Sequence, residues 1–214
     1  MRDAAAFIRA QTAIAETPLL PGIRLHLATE ITPIWQASEA FLELHGMEPP
    51  FWAFAWPGSV ALSLAMRADP ALVAGKRVLD FAAGCGIAAV VAAQMGAGTV
   101  EAAEIDPLAI AAIGLNAALN KVAITPLDGD VVGAPCRWDV ILAGDVCYEA
   151  PMTAHILPWL RSMAREAIVL LADPGRAYLP RDGMEEHSIH TVPTTLELED
   201  RRERKVVIAR LLPF

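Results

Sequence analysis

The chain has 214 residues, of which 55% are hydrophobic and 20% are charged. A chain of this length forms one domain with a sizeable core, and so high an apolar fraction excludes an intrinsically disordered protein. Its 17 basic and 25 acidic residues give a net charge of −8, which excludes the basic surface typical of proteins that bind duplex nucleic acid or anionic membranes. We therefore expect any charged partner to be basic.

The three cysteines, Cys85, Cys136 and Cys147, are odd in number and lack CxxC spacing. They predict neither a disulfide framework nor a zinc site, and they are typical of a reducing compartment. The first residues of the chain carry charges and no apolar segment of signal-peptide length. We therefore expect a cytoplasmic protein.

Residues 81–100 form an uncharged stretch whose length of 20 residues is typical of a membrane span. Seven of the 20 are alanine and four are glycine, residues that transfer weakly into lipid, and a carboxylate bounds the stretch at each end. We expect a glycine turn of a globular protein here and no membrane contact.

The first 70 residues are predicted to be helical around one extended segment. Residues 4–16 and 33–45 have helical spacing, whereas residues 22–29 alternate as a strand does. From residue 77 onward, short β-branched runs alternate with longer alanine-rich segments. The predicted strands are 77–81, 99–105, 124–127, 138–143 and 167–172, and the predicted helices are 87–95, 107–120 and 151–166.

This alternation predicts an α/β fold with a doubly wound, mostly parallel, seven-stranded sheet. Its last two strands, 186–192 and 205–212, have no long helix between them and are predicted to close one sheet edge as an antiparallel pair. We expect residues 1–214 to form a single domain. Within it, residues 1–70 are an N-terminal extension with an aromatic lid, and residues 71–214 are the ligand-binding core.

The most informative local feature is a buried strand, 78–81, that leads into a glycine turn and then a helix. Gly84 and Gly86 let a ligand approach the backbone, and the helix that follows offers unpaired amide donors. The same spacing also fits a nicotinamide dinucleotide fingerprint, and a purely structural turn is a third interpretation. Asp80, four residues before the first glycine, favours a ligand with positive charges and no phosphate. S-adenosylmethionine carries an ammonium, a sulfonium and no phosphate, so we prefer it as the ligand.

Carboxylates also follow the next two predicted strands. Glu104 ends the second strand and is predicted to accept hydrogen bonds from both ribose hydroxyls. Asp106 is predicted to cap the helix that Pro107 begins, and we count it with the cofactor-binding residues. After the third strand we prefer Asp130 to Asp128 as the acceptor for the adenine amino group, although turn chemistry explains both aspartates equally well.

The fourth predicted strand is followed by an acidic residue and a tyrosine three places apart, Asp145 and Tyr148. Residues at this end of a strand lie where a substrate approaches an activated group. Asp145 is predicted to hold a nitrogen nucleophile and Tyr148 to wall its channel. The structural alternative is an aspartate that caps the next helix beside a core tyrosine.

Residues 50–58 contain two of the five tryptophans and are punctuated by proline and glycine. Aromatic walls suit a cationic centre or a lysine stem, with cation–π energies of about 0.5–2 kcal/mol. We predict a lid that folds over a pocket, with core filling as the alternative, and we count Trp56 with the cofactor-binding residues. The five histidines lack metal-ligand spacing, so we assign them neither a metal nor any chemistry.

The residues described so far resemble a known superfamily, the seven-strand S-adenosylmethionine-dependent methyltransferases, which have a Rossmann-like class I fold. The resemblance rests on the runs VLD at 78–80, GCG at 84–86 and EIDP at 104–107. The chain departs from the usual pattern at Ala82, where the first glycine stands, and at Glu104, where aspartate is commoner.

Two further signatures are similar to the protein-lysine branch of this superfamily, whose fourth-strand motif is D-x-x-Y. They are PFWA at 50–53 with WPG at 56–58, and DVCY at 145–148. Within that branch the chain resembles most the electron transfer flavoprotein β-subunit lysine methyltransferases. The resemblance covers the chain from about residue 20 to its end.

The resemblance implies that S-adenosylmethionine is the methyl donor and that residues 71–214 bind it. It implies a protein lysine as the acceptor, with the electron transfer flavoprotein β subunit as the first candidate and ribosomal protein L7/L12 as the second. Asp145 and Tyr148 are then the catalytic residues. We further expect a monomer that contacts no nucleic acid. The alternatives are an NAD-type oxidoreductase and a noncatalytic, nucleoside-binding partner subunit.

Overall fold

The structure is a computed structural model that describes residues 3–29, 32, 34, 49–194 and 201–214. The α-helices of this part of the chain are α1 (Ala4–Gln11), α2 (Pro57–Ala68), α3 (Ile87–Gln94), α4 (Pro107–Asn120) and α5 (Ala150–Met163). The strands are β1 (Ala13–Glu16), β2 (Arg24–Leu27), β3 (Arg77–Phe81), β4 (Thr99–Glu104), β5 (Thr125–Asp128), β6 (Val140–Gly144), β7 (Ile168–Asp173), β8 (Met184–Pro193) and β9 (Glu203–Leu211). Two short 3-10 helices cover Phe51–Ala53 and Pro70–Leu72.

Seven strands form the main sheet in the order β5-β4-β3-β6-β7-β9-β8. Strands β3 to β7 are parallel to one another, and β9 runs antiparallel to both β7 and β8. The predicted doubly wound, mostly parallel sheet and its antiparallel closing pair are therefore confirmed. The chain moves outward from β3 through β4 to β5 and then returns to the other side of β3 as β6. This reversal opens a crevice at the carboxyl ends of β3 and β6.

Both faces of the sheet are covered, because consecutive residues of a strand point to opposite sides. Val78 and Val140 pack with residues of α2 and α3 on one face, whereas Leu79 and Ile141 pack with residues of α5 on the other. All five residues of β6 are buried. Burial on both faces explains why the central strands are continuous apolar runs rather than alternating ones.

The N-terminal segment differs from its prediction at residues 13–16. These residues form β1, which pairs antiparallel with β2, although their alanine content favours a helix. Helix α1 ends at Gln11, and Thr12 after it has an extended backbone. Helix propensity is weak, and pairing with β2 outweighs it here. The helical prediction for residues 33–45 lies outside the described residues, apart from Ile34.

Two asparagines of α4 fasten this N-terminal hairpin to the core. Asn116 is fully buried, accepts a hydrogen bond from the His26 amide at 2.8 Å and donates one to the Cys85 carbonyl at 2.8 Å. Asn120 binds both backbone groups of Arg24. The extension is therefore held by the same helix that supports the glycine turn.

Residues 81–100 are divided between the end of β3, a turn, the eight-residue helix α3 and the start of β4. In the described parts of the chain, no helix is both long and apolar enough to cross a bilayer.

Candidate active site

A cavity of about 940 Å³ opens at the carboxyl ends of the central parallel strands. Residues that follow β3, β4, β5 and β6 line it, together with the segment before α2 and the loop after β7. It lies where the strand order reverses, which is the usual ligand site of open α/β sheets. The predicted site residues that line this cavity are Trp56, Gly84, Glu104, Asp106, Asp130, Asp145 and Tyr148.

The glycine turn after β3 has the backbone that its sequence predicts. Gly84 has φ +54° and Gly86 has φ +74°, both in the left-handed region, and Gly86 is the N-cap of α3. Ala82 also has a positive φ, +53°, which costs an L-residue roughly 1–2 kcal/mol. The turn keeps its shape even though an alanine stands at its first position. Gly86 shapes the turn but does not line the cavity.

Asp80 supports the turn from beneath and does not line the cavity. Its buried carboxylate accepts a hydrogen bond from the Ala89 amide, in the first turn of α3, at 2.9 Å. Burial raises the pKa of Asp80 to about 8, Glu104 adds to the rise, and the Ala89 hydrogen bond opposes it. We expected a carboxylate that faces the ligand. The structure instead directs it to α3, because Asp80 shares the sheet face of Val78.

Glu104 lies at the end of β4 with its carboxylate over the glycine turn. Oε1 accepts a hydrogen bond from the Gly84 amide at 2.7 Å, and Oε2 accepts one from the Ile105 amide at 3.0 Å. Burial raises the pKa of Glu104, and these two hydrogen bonds oppose the rise. A pyrophosphate at this turn would need the Gly84 amide and would meet a carboxylate. The geometry therefore disfavours a dinucleotide.

Asp106 and Asp130 extend the acidic edge of the cavity. Asp106 caps α4, because its Oδ1 accepts a hydrogen bond from the Leu108 amide at 2.8 Å. Oδ2 of Asp130 lies 2.7 Å from Nε2 of His155, and its Oδ1 accepts a hydrogen bond from the Val132 amide at 2.9 Å. Burial alone would raise the pKa of Asp130, but the hydrogen bonds from that amide and from His155 outweigh it and lower the pKa. Both aspartates are exposed, but Asp130 lines the cavity and Asp128 does not, which favours Asp130 as a ligand residue.

Asp145 follows β6 in a left-handed conformation, with φ +60°, and is only 8% exposed. Its Oδ2 accepts hydrogen bonds from the amides of Gly58 at 2.7 Å and Ser59 at 3.2 Å, at the start of α2. Its Oδ1 accepts one from Nη2 of Arg176 at 3.1 Å. Burial raises the pKa of Asp145 to about 6, and Arg176 opposes the rise. The carboxylate thus binds the start of α2, not of the next helix, α5, whose N-cap Glu149 makes no side-chain capping bond.

Aromatic rings form the cavity wall beside this carboxylate. The Phe51 ring lies 5.9 Å from that of Trp56 and 5.5 Å from that of Tyr148, measured between centroids. Phe54 contacts Trp56 at 5.9 Å. Trp52 also borders the cavity, but its side chain is almost fully buried in a cluster with residues of α1 and α4. The aromatic segment therefore supplies both the cavity wall and core filling.

The Trp-Pro-Gly run belongs to the start of α2. Pro57 is the first residue of the helix and Trp56 is its N-cap, so the predicted loop over 50–58 ends at Trp56. A β-carbon at Gly58 would lie 2.6 Å from both the Ala172 carbonyl oxygen and Oδ2 of Asp145. Glycine is required here because the helix end must approach the sheet closely enough for its amides to bind Asp145.

The cavity also has polar residues that the sequence did not indicate, among them His155 and Arg176. His155 lies in the helix that follows the D-x-x-Y motif and approaches Asp130 only through tertiary packing. Arg176 follows β7, which neighbours β6, so its position after the fifth parallel strand was a signal available in the sequence.

The cavity wall in the described residues carries five carboxylates and one guanidinium. They are those of Glu104, Asp106, Asp130, Asp145 and Glu149, and of Arg176. Such a wall favours a positively charged ligand over a phosphate. S-adenosylmethionine fits it, since its sulfonium and ammonium are cations and its ribose presents the hydroxyls that a carboxylate accepts.

Comparison with known proteins agrees with this geometry. The family model of ribosomal protein L11 methyltransferase (PrmA) matches residues 61–145, which run from α2 to Asp145. The electron transfer flavoprotein beta subunit lysine methyltransferase of Xenopus laevis is 40% identical over 177 residues, or 80% of this chain and 70% of that protein. The protein of the same name from Homo sapiens is 32% identical over 203 residues, or 92% of this chain and 76% of that protein.

The chain belongs to the electron transfer flavoprotein beta subunit lysine methyltransferase family. It is an S-adenosylmethionine-dependent protein methyltransferase, as the sequence motifs predict. The predictions of family, enzyme class and methyl donor are confirmed. The oxidoreductase and the noncatalytic partner subunit gain no support from these relatives.

A solved structure confirms the fold of this methyltransferase. Magnesium protoporphyrin IX methyltransferase from Synechocystis PCC 6803 with bound S-adenosylmethionine has a TM-score of 0.53 to the chain, covering 72% of it and 77% of that protein. At 15% sequence identity this likeness establishes the Rossmann-like class I fold alone.

Proposed function

We propose that this methyltransferase transfers a methyl group to a lysine of the electron transfer flavoprotein β subunit. The observation that carries the proposal is the buried carboxylate of Asp145 beside the aromatic wall of Phe51, Trp56 and Tyr148. A carboxylate and aromatic faces together recognise a cationic or hydrogen-bonding amine. Two relatives that are 32% and 40% identical to this chain, over at least 80% of its length, are named for that acceptor. Their names support the choice of acceptor protein.

The donor is proposed to lie along the glycine turn. Gly84, which has no side chain, lets the donor approach the backbone. Glu104 accepts hydrogen bonds from the ribose hydroxyls, and Asp130 accepts one from the adenine amino group. Ile105, 72% exposed on the cavity wall, offers an apolar surface to a flat base. The Trp56 indole donates a hydrogen bond to the Phe51 carbonyl, which lies near Gly84, and its ring faces Arg176, so we propose that Trp56 borders both substrates.

The remaining donor-site residues act indirectly in this proposal. Asp106 fixes the start of α4, Gly86 shapes the start of α3, and Asp80 binds the first turn of that helix. Each holds a helix end whose position determines the cavity wall.

The acceptor chemistry needs positioning more than covalent catalysis. When bound, S-adenosylmethionine supplies a methyl group: the lysine nitrogen lone pair forms the new C–N bond, the C–S electron pair stays on sulfur, and the nitrogen releases a proton to solvent. Two amides and Arg176 occupy three acceptor positions of the Asp145 carboxylate. A carboxylate has about four, so one is left for an N–H of the acceptor lysine. Tyr148 and Trp56 then hold the lysine stem in line with the donor.

The net charge of −8 supports encounter with a basic, lysine-bearing segment of the acceptor protein. Ribosomal protein L7/L12 is the second candidate acceptor. We also propose that the enzyme is a monomer and that it works in the cytoplasm, a reducing compartment compatible with the free thiols of Cys85, Cys136 and Cys147.

The proposal is tested by incubating the purified protein with methyl-labelled S-adenosylmethionine and one candidate acceptor at a time. The acceptors are electron transfer flavoprotein β subunit, ribosomal protein L7/L12, RNA and DNA. We expect label in a lysine of the flavoprotein subunit, located by mass spectrometry of its peptides. Asp145→Asn serves as the control, because it should still bind the donor within a few-fold yet lose transfer by at least about tenfold. Label confined to nucleic acid, or to a protein side chain other than lysine, would contradict the proposal.

A further inference from the structure

Arg176 is the guanidinium of the cavity wall, and its backbone is held firmly in place. Oδ1 of Asp173, at the end of β7, accepts hydrogen bonds from the Gly175 amide at 2.7 Å and from the Arg176 amide at 2.6 Å. From this anchored position the side chain, 21% exposed, extends across the sheet edge to Asp145. The fold thus places a cation beside the one carboxylate that the acceptor amine is expected to use.

The same guanidinium also faces the aromatic wall. Its central carbon lies 5.8 Å from the Trp56 ring centroid, within the range of a cation–π interaction. The Trp56 indole in turn donates a hydrogen bond to the Phe51 carbonyl at 2.9 Å. Arg176 therefore contacts both features that we assign to acceptor recognition, the carboxylate and the ring.

The charges around Asp145 show what this contact does. The loop after β7 presents a cation, Arg176, and a buried carboxylate, Asp173, whose negative charge raises the pKa of Asp145. The start of α2 contributes two backbone amides, and Cys147 on the same loop as Asp145 has a pKa raised to about 12, so it is a neutral thiol. Without Arg176, the negative charge of Asp173 would act on Asp145 with no guanidinium to offset it. The loss of Arg176 therefore favours protonation of Asp145.

We propose that Arg176 is a positioning residue for methyl transfer, holding Asp145 as an oriented carboxylate that can receive the acceptor nitrogen. A protonated Asp145 would present an O–H donor to the amine and would misorient its lone pair. The inference rests on the proposed function for the identity of the acceptor, but the effect of Arg176 on Asp145 requires no acceptor. The hydrogen bonds to Asp173 fix the Arg176 backbone beside the site, so we expect the guanidinium to stay on Asp145 when the acceptor lysine binds.

The test compares Arg176→Gln and Arg176→Lys with the wild type. Arg77→Gln is the matched control, since Arg77 also pairs with an aspartate, Asp139, at 2.6 Å but lies at the start of β3, away from the cavity. Three quantities are measured for each protein: kcat/KM for the acceptor from pH 6 to pH 9, the affinity for S-adenosylmethionine by calorimetry, and the titration of Asp145 by NMR of ¹³C-aspartate-labelled protein.

We expect Arg176→Gln to lower kcat/KM at pH 7 by at least about tenfold. The deficit should shrink as the pH rises, because Asp145 then ionises without help. Its NMR titration should move to higher pH, donor affinity should stay within a few-fold of the wild type, and Arg176→Lys should recover part of the activity. Arg77→Gln should match the wild type in all three measurements.

Several results would overturn the inference. A deficit that is constant with pH, or an Asp145 titration unchanged in Arg176→Gln, would leave Arg176 a merely structural role. A lower KM for the acceptor in that variant would show instead that the guanidinium competes with lysine. If Arg176→Gln fails to unfold cooperatively, the same criteria apply to Arg176→Lys. Absence of any protein methylation by the wild type would contradict the proposed function, whereas the NMR titration would still decide the role of Arg176.

Discussion

The two ends of the cavity are built in different ways. At the donor end, each polar group directly follows its own strand: the glycine turn follows β3 and Glu104 ends β4. At the acceptor end, three segments far apart in the sequence meet at Asp145: the start of α2, the residue after β6 and the loop after β7. Local motifs therefore specify the donor site, whereas tertiary packing specifies the acceptor site. Changes in packing should therefore damage the acceptor end first.

The largest effect is expected from closing the space at Gly58. In Gly58→Ala the new β-carbon would overlap the Ala172 carbonyl and Asp145, so the start of α2 must move away from the sheet. We expect a loss of about 2–3 kcal/mol in the free energy of unfolding by urea, and at least about tenfold in methyl transfer.

The matched control for this change is Gly114→Ala, in α4, where a β-carbon meets nothing within 4 Å. It should stabilise the protein by about 0.5–1 kcal/mol, because alanine favours a helix over glycine. Equal stability and activity of the two variants would show that the acceptor end does not depend on close packing at Gly58.

A smaller effect is expected at the donor end, from one ligand group. Glu104→Gln removes the charge from an acceptor of ribose hydroxyls and brings an amide donor near the Gly84 amide. Affinity for S-adenosylmethionine should fall about tenfold, or about 1.4 kcal/mol, by calorimetry. Asp128→Asn is the control, because Asp128 ends the neighbouring strand but does not line the cavity. Unchanged affinity in Glu104→Gln would remove Glu104 from the donor site.

The burial of Asp80 beneath the glycine turn predicts that the free energy of unfolding depends on pH. Its pKa is raised from 3.8 to about 8, so between these values the folded protein retains a proton that the unfolded chain has released. The contribution of this group to stability therefore falls as the pH rises through that window, with a limiting slope of about 1.4 kcal/mol per pH unit. From pH 5 to pH 7, which is two pH units at that slope, Asp80→Asn should gain about 2–3 kcal/mol relative to the wild type in urea unfolding.

Asp139 is the control for Asp80, because its pKa is lowered whereas that of Asp80 is raised. Hydrogen bonds from Arg77 lower the pKa of Asp139 to about 2, so stability from that carboxylate is lost only as the pH falls through the interval below 3.8. The difference between Asp139→Asn and the wild type should thus be constant from pH 5 to pH 7. A constant difference for Asp80→Asn as well would show that Asp80 is ionised in the folded protein.

The smallest effect is expected at Ala82. Glycine there removes the left-handed strain of roughly 1–2 kcal/mol but adds a backbone entropy cost of about 0.4–1 kcal/mol. Ala82→Gly should therefore be more stable by about 0.5 kcal/mol, measured by urea unfolding. Gly75→Ala makes the reverse change at φ +71° in open space and should be destabilising. Destabilisation by Ala82→Gly would mean that the alanine methyl contributes packing that outweighs its strain.

The sequence predicts the donor end well because its determinants are local. The strand, the glycine turn and the helix at 107–120 follow from residues a few places apart, and β3 and α4 have the predicted limits. The orientation of the Asp80 side chain, by contrast, cannot be predicted from neighbouring residues. Its position in the motif is local, but the direction of its side chain depends on which face of the sheet α3 covers.

At the acceptor end the sequence supplies Asp145 and Tyr148 but not their partners. To predict the hydrogen bonds from the start of α2 to Asp145, one must know which helix end meets β6. To predict the contact with Arg176, one must know that β6 pairs with β7. Residues 13–16 are missed for a similar reason, since a helix-prone run becomes a strand only where β2 lies beside it.

A crystal structure of the enzyme with S-adenosylhomocysteine and a lysine peptide from the electron transfer flavoprotein β subunit would show directly which residues bind the donor and the acceptor. We predict the lysine nitrogen within hydrogen-bond distance of Asp145, about 2.7–3.2 Å. The lysine stem should lie between the rings of Trp56 and Tyr148, and Glu104 should bind the ribose. A peptide whose lysine lies away from Asp145 would contradict the acceptor site, and a ribose that does not contact Glu104 would contradict the donor site.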